Sequence, residues 1–239
     1  MNNVEVDSKL TIVIPCFNEA RSLPDLIEKC KEIVTEYAVE FIFVDNGSRD
    51  DTQEVFHLRL RNEPKLRMIL LAENQGYGGG ILAGLAHAVT EYIGWTHADL
   101  QTDPADVVKA LEILEDPDTP QTVLVKGRRK GRSLGSIFFT CAMSLFETLL
   151  FRAIIQDVNA QPTIFRRDFF LKWADAPTDF ALDLYTYVTA KKFGLQVRRF
   201  PVLFITREHG VSNWNVGWHS RNRFILRTIK FSFALRKGM

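Results

Sequence analysis

The stretch LTIVIPCFNE at residues 10–19 decides the fold. Its first half is a run of aliphatic and β-branched residues, which predicts a buried strand that ends just before a polar turn. The stretch FIFVDNGSRD at residues 41–50 repeats this arrangement, and apolar residues at helical spacing from Leu23 to Val34 separate the two. Two buried strands joined by a helix predict a parallel sheet with polar groups at the carboxyl ends of its strands.

The same alternation continues along the chain. In the first half we expect helices over residues 52–61 and 78–92 and from Pro104 onward. We expect strands over 66–71, 93–96 and 122–126. In the second half we expect helices over 134–155, 180–193 and 218–235, and strands over 162–166 and 197–205. Pro201 indicates that the last strand lies at an edge of the sheet. The pattern predicts an α/β fold with a mainly parallel sheet, right-handed crossovers and ligands at the carboxyl ends of the strands.

The composition of the 239-residue chain, 46% hydrophobic and 25% charged, is typical of one globular domain and excludes a disordered chain. Its net charge of +1 argues against a dedicated nucleic-acid-binding protein. The charge is unevenly placed, because no acidic residue follows Glu208 while the basic side chains there sum to +6. Residues 1–208 carry −5 in consequence, which suggests that the basic end meets an anionic surface.

The cysteines and apolar segments predict a cytoplasmic protein. Cys16, Cys30 and Cys141 are odd in number and widely spaced, so neither a disulfide framework nor a metal pair is expected. The first nine residues lack the apolar core of a signal peptide. The most apolar stretch contains Glu147 and is followed by Arg152, so we expect no transmembrane span.

Two further motifs, ENQGYGGG at 73–80 and HADLQTDP at 97–104, follow the third and fourth strands. Glycines there allow a backbone to approach a ligand, although the loop is misplaced for a dinucleotide-binding fingerprint. Asp99 and Gln101 are two residues apart, so in an extended segment they face the same way. Their oxygens suit Mg²⁺ or Mn²⁺ on a diphosphate, and His97 lies one step back on the same face.

Taken in order, these motifs resemble those of family 2 glycosyltransferases of GT-A fold, and among them the dolichyl- or polyprenyl-phosphate sugar synthases. The carriers are IPCFNEA, FVDNGSRDDT, ENQGYGGG, HADLQTDP, DVNAQPTIFRR and REHGVSNW, which together cover about residues 10–215. The resemblance implies an inverting enzyme that moves a sugar from a UDP- or GDP-linked donor to a lipid-linked acceptor, with polyprenyl phosphate favoured. A sugar hydroxyl of a glycan is the alternative acceptor, and a non-catalytic nucleotide-binding, membrane-associated protein is a second alternative.

The resemblance also implies roles for individual residues. The nucleotide-sugar site would be formed by Pro15, Asn18, Glu19, Asp45, Asn74, Gly76, Gly79 and Asp99. Asp99 and Gln101 would hold Mg²⁺ or Mn²⁺. The donor or acceptor phosphates would be approached by Arg128, Arg207 and Ser212. The family's usual Asp-Ala-Asp is His97-Ala98-Asp99 here, and whether His97 is a ligand, a hydrogen-bond donor or a structural histidine stays open.

The resemblance directs attention to two acceptor-side segments. Asp183 matches an acidic position of the family and is either a general base or the partner of an arginine. Asp157, Asn159 and Gln161 lie in a segment that faces the acceptor in the family, and if extended they share one side. A hydroxyl acceptor needs a base, whereas a phosphate monoester, with a second pKa of about 6, is already a nucleophilic dianion.

The chain is expected to divide into a glycosyltransferase domain over 1–215 and a basic amphipathic helix over 216–239. Within the domain, residues 10–127 would bind the nucleotide sugar and 128–215 the acceptor. The final helix either lies on the cytoplasmic face of a membrane or packs on the core with its charges solvated. The apolar helix over 134–155 has three open interpretations: a lipid-facing surface, a contact in a homo-oligomer, or a buried core helix.

Overall fold

The computed structural model describes residues 8–131, 134–205 and 218–237. Seven strands form one sheet in the order β3-β2-β1-β4-β6-β5-β7. Their bounds are β1 Leu10–Cys16, β2 Val39–Asn46, β3 Leu66–Leu71, β4 Tyr92–Trp95, β5 Val123–Lys130, β6 Thr163–Arg166 and β7 Gln196–Leu203. The helices are α1 Leu23–Glu36, α2 Thr52–Arg59, α3 Gly76–Ala86, α4 Asp106–Glu115, α5 Leu134–Phe151, α6 Arg167–Phe170, α7 Leu182–Lys192 and α8 Trp218–Lys237.

The sheet is mainly parallel, as the alternation of strands and helices predicts. Among the strands of the described residues, only β6 runs against its neighbours β4 and β5, and β7 pairs with β5 alone at the edge that Pro201 indicated. Because the other strands point the same way, their carboxyl ends lie along one edge of the sheet. The chain enters β6 at that same edge, so residues that precede Thr163 join the ends of the parallel strands.

Two helices, α3 and α5, end well before the predicted residue. The helix expected over 78–92 ends at Ala86, because Thr90 turns into the sheet and shares a hydrogen bond of 2.6 Å with the hydroxyl of Thr11. The helix expected over 134–155 ends at Phe151, because Arg152 adopts a left-handed conformation with φ of 53°.

The hydrophobic core lies on both faces of the sheet. One cluster joins the strands to α1 and α4, with Leu26 and Val107 fully buried, and a second joins them to α3 and α7 around Trp95 and Leu182. A smaller cluster lies between α5, α7 and β7. The helices therefore cover the faces and leave the carboxyl edge for polar side chains.

The C-terminal helix α8 packs against this body. Phe231 and Leu235 lie against the core, and the rings of Phe233 and Phe146 of α5 meet edge to face at 5.9 Å. Arg227 forms an ion pair of 2.5 Å with Asp179. None of the helices in the described ranges is both long and apolar enough to cross a membrane.

Candidate active site

Hydrogen bonds between side chains and backbone join the loops that follow β1 and β2. The Asn18 side-chain oxygen accepts a bond of 2.8 Å from the Arg49 backbone, and the Ser48 hydroxyl accepts one of 3.0 Å from the Asn18 backbone. Asp45, which is buried, accepts a bond of 2.9 Å from the Ser48 backbone. Asn18 is left-handed, with φ of 56°, a conformation that asparagine tolerates well. These bonds bring Asn18 and Asp45 together at the sheet edge, as the motifs predicted.

The other predicted residues of these loops lie close by. Pro15 is half-buried within β1, and Glu19 accepts a bond of 2.7 Å from the hydroxyl of Ser22. Asn74 accepts a bond of 2.8 Å from the Gly76 backbone at the start of α3. The loops that follow β1, β2 and β3 therefore form a continuous polar rim, which is the first part of the predicted nucleotide-sugar site.

The glycines at the start of α3 face another part of the protein. A Cβ at Gly78 would lie 2.5 Å from the carbonyl oxygen of Pro177, and one at Gly76 would lie 2.5 Å from that of Thr178. The Gly79 backbone N–H donates a bond of 2.9 Å to Thr178. Packing against residues 177–179 thus already requires glycine at 76 and 78, whatever role these residues and Gly79 have toward a donor.

Buried Asn46, which sequence reasoning missed, connects β2 to this glycine-rich segment. Its amide nitrogen donates a bond of 2.8 Å to the Gly76 carbonyl, and its oxygen accepts one of 2.9 Å from the Gln75 backbone. An asparagine at a strand end is a common turn residue, so the sequence carried no signal that separates this role from an ordinary turn.

The segment after β4 is a turn, and the expectation of an extended stretch from Asp99 to Gln101 is wrong. Leu100 is left-handed with φ of 54°, and Asp99 accepts a bond of 3.1 Å from the Gln101 backbone. The Gln101 amide nitrogen donates a bond of 3.2 Å to the Ile205 carbonyl. The two side chains therefore reach the same edge by a turn and a contact with the segment that follows β7, rather than by strand alternation.

The residues around Asp99 fit a divalent ion only as part of a ligand set. One carboxylate, one amide oxygen and the half-buried His97 imidazole are hard or intermediate ligands. The described residues contain no group of three or more histidine, cysteine, aspartate or glutamate side chains that would form a complete cage. This donor set suits an ion that takes its remaining ligands from a diphosphate, as Mg²⁺ commonly does.

The acceptor-side segment before β6 is also not extended, so Asp157, Asn159 and Gln161 do not share one side. Asp157 has φ of 39°, and its carbonyl accepts a bond of 3.0 Å from the backbone of Ala160. Asp157 faces an arginine, Asn159 is exposed, and Gln161 is buried against α7. A turn of this kind is set by contacts from distant strands, which alternation cannot reveal.

Two arginines that sequence reasoning missed hold this turn. Arg129 forms a two-point ion pair with Asp157, with its Nε atom 3.0 Å from the carboxylate. Arg199 of β7 donates to the backbone carbonyls of Gln156 and Gly127. The predicted Arg128 is one position away and exposed, so its predicted contact with phosphate remains a prediction. Arg207 and Ser212 lie outside the described residues.

Asp183 lies at the start of α7 and is almost fully buried. It accepts a bond of 2.9 Å from the Gln161 amide, and the nearby cation is Lys126, 3.8 Å away. The alternative in which Asp183 orients an arginine therefore has no support in its described contacts. Tyr77, also missed, receives a bond of 3.2 Å from Gln161, stacks on Phe180 at 4.7 Å, and lies beside His97.

The fold and this edge define a GT-A-type sheet with a polar rim on the donor side and a buried acid on the acceptor side. A profile of the family described as "Glycosyl transferase family 2" matches residues 11–170. Since that match spans more than half of the chain, the protein belongs to glycosyl transferase family 2.

Curated relatives carry a common description. An undecaprenyl-phosphate 4-deoxy-4-formamido-L-arabinose transferase of Photorhabdus laumondii is 30% identical over 151 residues, which are 61% of this chain and 44% of the relative. The Proteus mirabilis protein of that description is 26% identical over 90% of this chain and 65% of the relative. The chain thus spans less than two thirds of the length of these relatives.

Solved structures share the fold. Glucosyl-3-phosphoglycerate synthase of Mycobacterium tuberculosis, in complex with Mn²⁺, UDP-glucose and phosphoglyceric acid, superposes with a TM-score of 0.74 at 16% identity, covering 96% of this chain and 80% of that one. A mannosyltransferase of Pyrobaculum calidifontis, in complex with GDP-mannose and Mn²⁺, gives a TM-score of 0.65 at 20% identity, covering 95% and 64%. The GT-A fold predicted from the motifs is confirmed.

Proposed function

We propose that this protein transfers a sugar, with inversion, from a UDP- or GDP-linked donor to polyprenyl phosphate. The observation that carries the proposal is that Asp45 and the Asp99 turn lie at the same carboxyl edge of the sheet, in a chain of glycosyl transferase family 2. Relatives named as undecaprenyl-phosphate sugar transferases support the lipid acceptor, and structural neighbours with UDP-glucose or GDP-mannose support the donor class.

The donor half would bind the nucleotide and its diphosphate. Asp45 and Asn18 contribute acceptor oxygens where the loops after β1 and β2 meet. Asp99 and Gln101 would hold Mg²⁺ or Mn²⁺, with His97 as a further candidate ligand. When bound, such an ion neutralises the charge that develops on the departing nucleoside diphosphate. Because Gln101 is tied to Ile205, its side chain is kept in place before a donor arrives.

Burial of Asp183 favours a phosphate acceptor over a hydroxyl acceptor. A general base must come within hydrogen-bond reach of the hydroxyl it deprotonates, and Asp183 is only 2% exposed and already accepts a bond from Gln161. A phosphate monoester has a second pKa of about 6 and attacks without a base. Arg128, with Arg207 and Ser212, would bind and orient its oxygens.

The proposal includes contact with the surface of a membrane. Helix α5 exposes large apolar side chains at helical spacing, Phe138, Leu145 and Leu149. Helix α8, which contacts α5, exposes Leu226 and Phe233 together with the basic Lys230. An apolar face bordered by basic residues suits the surface of an anionic bilayer, where a polyprenyl phosphate would be reached. For a cytoplasmic enzyme this would be the cytoplasmic face.

Turnover with a panel of donors and acceptors tests the proposal. The full chain with Mn²⁺ would be incubated with UDP- and GDP-linked hexoses or pentoses, each with polyprenyl phosphate, the matched polyprenyl alcohol, or a lipid-linked glycan. We expect nucleoside diphosphate release that requires both the metal and the phosphate of the lipid.

The alcohol separates recognition of the phosphate from recognition of the lipid chain. Equal turnover of polyprenyl alcohol would contradict a phosphate nucleophile. Turnover with the glycan but not with polyprenyl phosphate would replace the lipid-phosphate acceptor by a sugar hydroxyl, and would make Asp183 a base after all.

A further inference from the structure

Lys126 is a fully buried lysine that the proposed reaction does not use. It lies in β5 directly opposite Thr163 of β6, near the edge where the candidate active site forms. Lysine is almost never fully buried unless it is paired, because removing an ammonium group from water is costly. Its partners therefore indicate what the residue does.

Hydrogen bonds connect Lys126 to Asp183 in one direction. An ammonium group only donates, so Lys126 donates to the Thr163 hydroxyl, which in turn donates a bond of 2.9 Å to the side-chain amide oxygen of Gln161. This places the Gln161 amide nitrogen toward Asp183, to which it donates at 2.9 Å. Donation from Lys126 through Thr163 and acceptance by Asp183 therefore favour the same orientation of the Gln161 amide.

The second proton of the Gln161 amide extends the chain to Tyr77, at 3.2 Å. The Tyr77 ring stacks on Phe180 and lies 5.8 Å from the His97 ring, so the chain ends beside the segment that carries Asp99. Burial raises the pKa of the Tyr77 hydroxyl well above its usual value, which keeps that hydroxyl protonated.

Four charged groups act on Lys126. Asp183 and Asp157 favour its charged form, whereas Arg199 and Arg129 oppose it. Burial has the largest effect, and the pKa of Lys126 falls to about 8 as a result. The lysine is still mostly charged at neutral pH, and its ammonium lies 3.8 Å from Asp183.

We propose that Lys126 is a positioning residue of the active site, which holds the Asp183 carboxylate and the Gln161 amide in a single orientation through Thr163. The inference rests on the proposed function for its kinetic test. It assigns to Asp183 the role of a fixed negative charge beside the reacting groups, with Lys126 as its counter-ion. Loss of Lys126 should then disturb the reaction rather than donor binding.

Kinetics of Lys126→Met and Asp183→Asn, alone and combined, test the proposal. We expect Lys126→Met to lower kcat by about 10- to 100-fold while the KM for the nucleotide sugar changes less than about threefold. In the Asp183→Asn background the same substitution should lower kcat little further, because the group on which Lys126 acts has been changed. Multiplicative losses in the double variant would overturn the proposal.

Lys109→Met is the matched control, because Lys109 pairs with the buried Asp106 in α4, among residues without a role in the site. It should leave kcat unchanged. Thr163→Val covers the case in which Lys126→Met does not fold, since it removes the relaying hydroxyl while the shape and charges remain. A several-fold loss of kcat in Thr163→Val is expected, and wild-type kcat would contradict the relay.

The pH dependence of kcat separates a positioning role of Lys126 from a merely structural one, because a structural lysine would not affect it. Wild-type kcat should fall as pH rises through about 8, where Lys126 loses its proton. The conservative Lys126→Arg keeps a charged side chain and should retain its kcat up to pH 9. Wild-type and Lys126→Arg profiles that fall together as pH rises would overturn the proposal, because the loss would then not come from Lys126.

Failure of the proposed function is distinguishable. If the wild type turns over none of the acceptors, that function fails by itself. The pairing is then read from the urea midpoints of the wild type, Lys126→Met, Asp183→Asn and the double variant. Midpoint changes of Lys126→Met and Asp183→Asn that are clearly non-additive support the pairing, whereas additive changes overturn it.

Discussion

The loops after β1, β2 and β4 are stabilised mainly by hydrogen bonds between side chains and nearby backbone. The segments around β5 and β6 are stabilised by pairs of buried or half-buried charged side chains. Asn18, Asp45 and Asp99 each accept a backbone N–H from their own or the adjacent loop. On the acceptor side, Arg129 pairs with Asp157 and Lys126 lies beside Asp183, over sequence separations of 28 and 57 residues. Substitutions in the donor half should therefore reduce activity with little change in the free energy of unfolding. Substitutions in the acceptor half should also lower the free energy of unfolding.

The largest expected effect is chemical and lies in the donor half. Asp99→Asn should lower kcat/KM by about 100-fold or more, because the carboxylate that we propose as a metal ligand becomes a neutral amide. Its free energy of unfolding should change little. Steady-state turnover in Mn²⁺, with urea unfolding alongside, checks both statements.

Asp175→Asn is the matched control for that change, since Asp175 is exposed and has φ of 52°, which asparagine also accepts. It should retain wild-type kcat/KM. Full activity of Asp99→Asn would remove the metal assignment, and with it the chemical role of the donor half.

The next effect is structural and lies in the acceptor half. Arg129→Met should lower the free energy of unfolding by about 2–3 kcal/mol, because it removes the two-point ion pair that Arg129 forms with the half-buried Asp157. Its neighbour Arg128, which is exposed, provides the contrast. Arg128→Met should change stability by less than about 0.5 kcal/mol but lower turnover if Arg128 binds phosphate.

Urea unfolding of Arg129→Met and Arg128→Met shows which of the two arginines stabilises the acceptor turn. Equal stabilities would show that Arg129 does not hold the acceptor turn. Unchanged kcat and KM in Arg128→Met would remove Arg128 from the site.

The sequence predicts the donor side of the site better than the turns and buried charges of the acceptor side. Continuous apolar runs and the polar residues after them placed Asp45 and Asp99 at one sheet edge, because parallel strands end together. The left-handed turn at Leu100 and the bend at Asp157 escaped prediction, since each is stabilised by contacts with distant strands. Lys126 looked like one more strand residue, and only tertiary structure brings Asp183 next to it.

A third prediction concerns Glu147, a buried carboxyl of α5. Burial raises its pKa to about 7, from an unfolded value near 4.5, so its stabilising contribution is complete below pH 4.5 and is lost as pH rises through 7. Glu147→Gln should therefore gain about 2 kcal/mol more stability at pH 8 than at pH 5, relative to the wild type.

Urea unfolding at both pH values measures this difference. Glu32→Gln, an exposed glutamate of α1, should show no such dependence. A stability gain for Glu147→Gln that is equal at pH 5 and pH 8 would mean that the pKa of Glu147 is not raised. Burial of charged groups would then contribute less to the pH dependence of stability in the acceptor half than we predict.

The smallest effect concerns the apolar face of α5. Leu149→Ser should weaken partition to anionic vesicles about fivefold, equivalent to about 1 kcal/mol of lost apolar burial. Leu58→Ser, at a residue of α2 that is 65% exposed against 71% for Leu149, should not change the partition.

Vesicle sedimentation measures that partition, and size-exclusion chromatography covers the other interpretation of the same face. A stable wild-type dimer that Leu149→Ser dissociates, without change in vesicle binding, would assign the face to a subunit contact and contradict a membrane surface.

The most direct test of the whole account is the mass of the lipid after reaction. Wild-type protein with Mn²⁺, a donor that it accepts and polyprenyl phosphate should give a lipid heavier by one sugar residue, with one nucleoside diphosphate released for each product. A lipid of unchanged mass, while nucleoside diphosphate still accumulates in the presence of a glycan acceptor, would contradict the proposed transfer to polyprenyl phosphate.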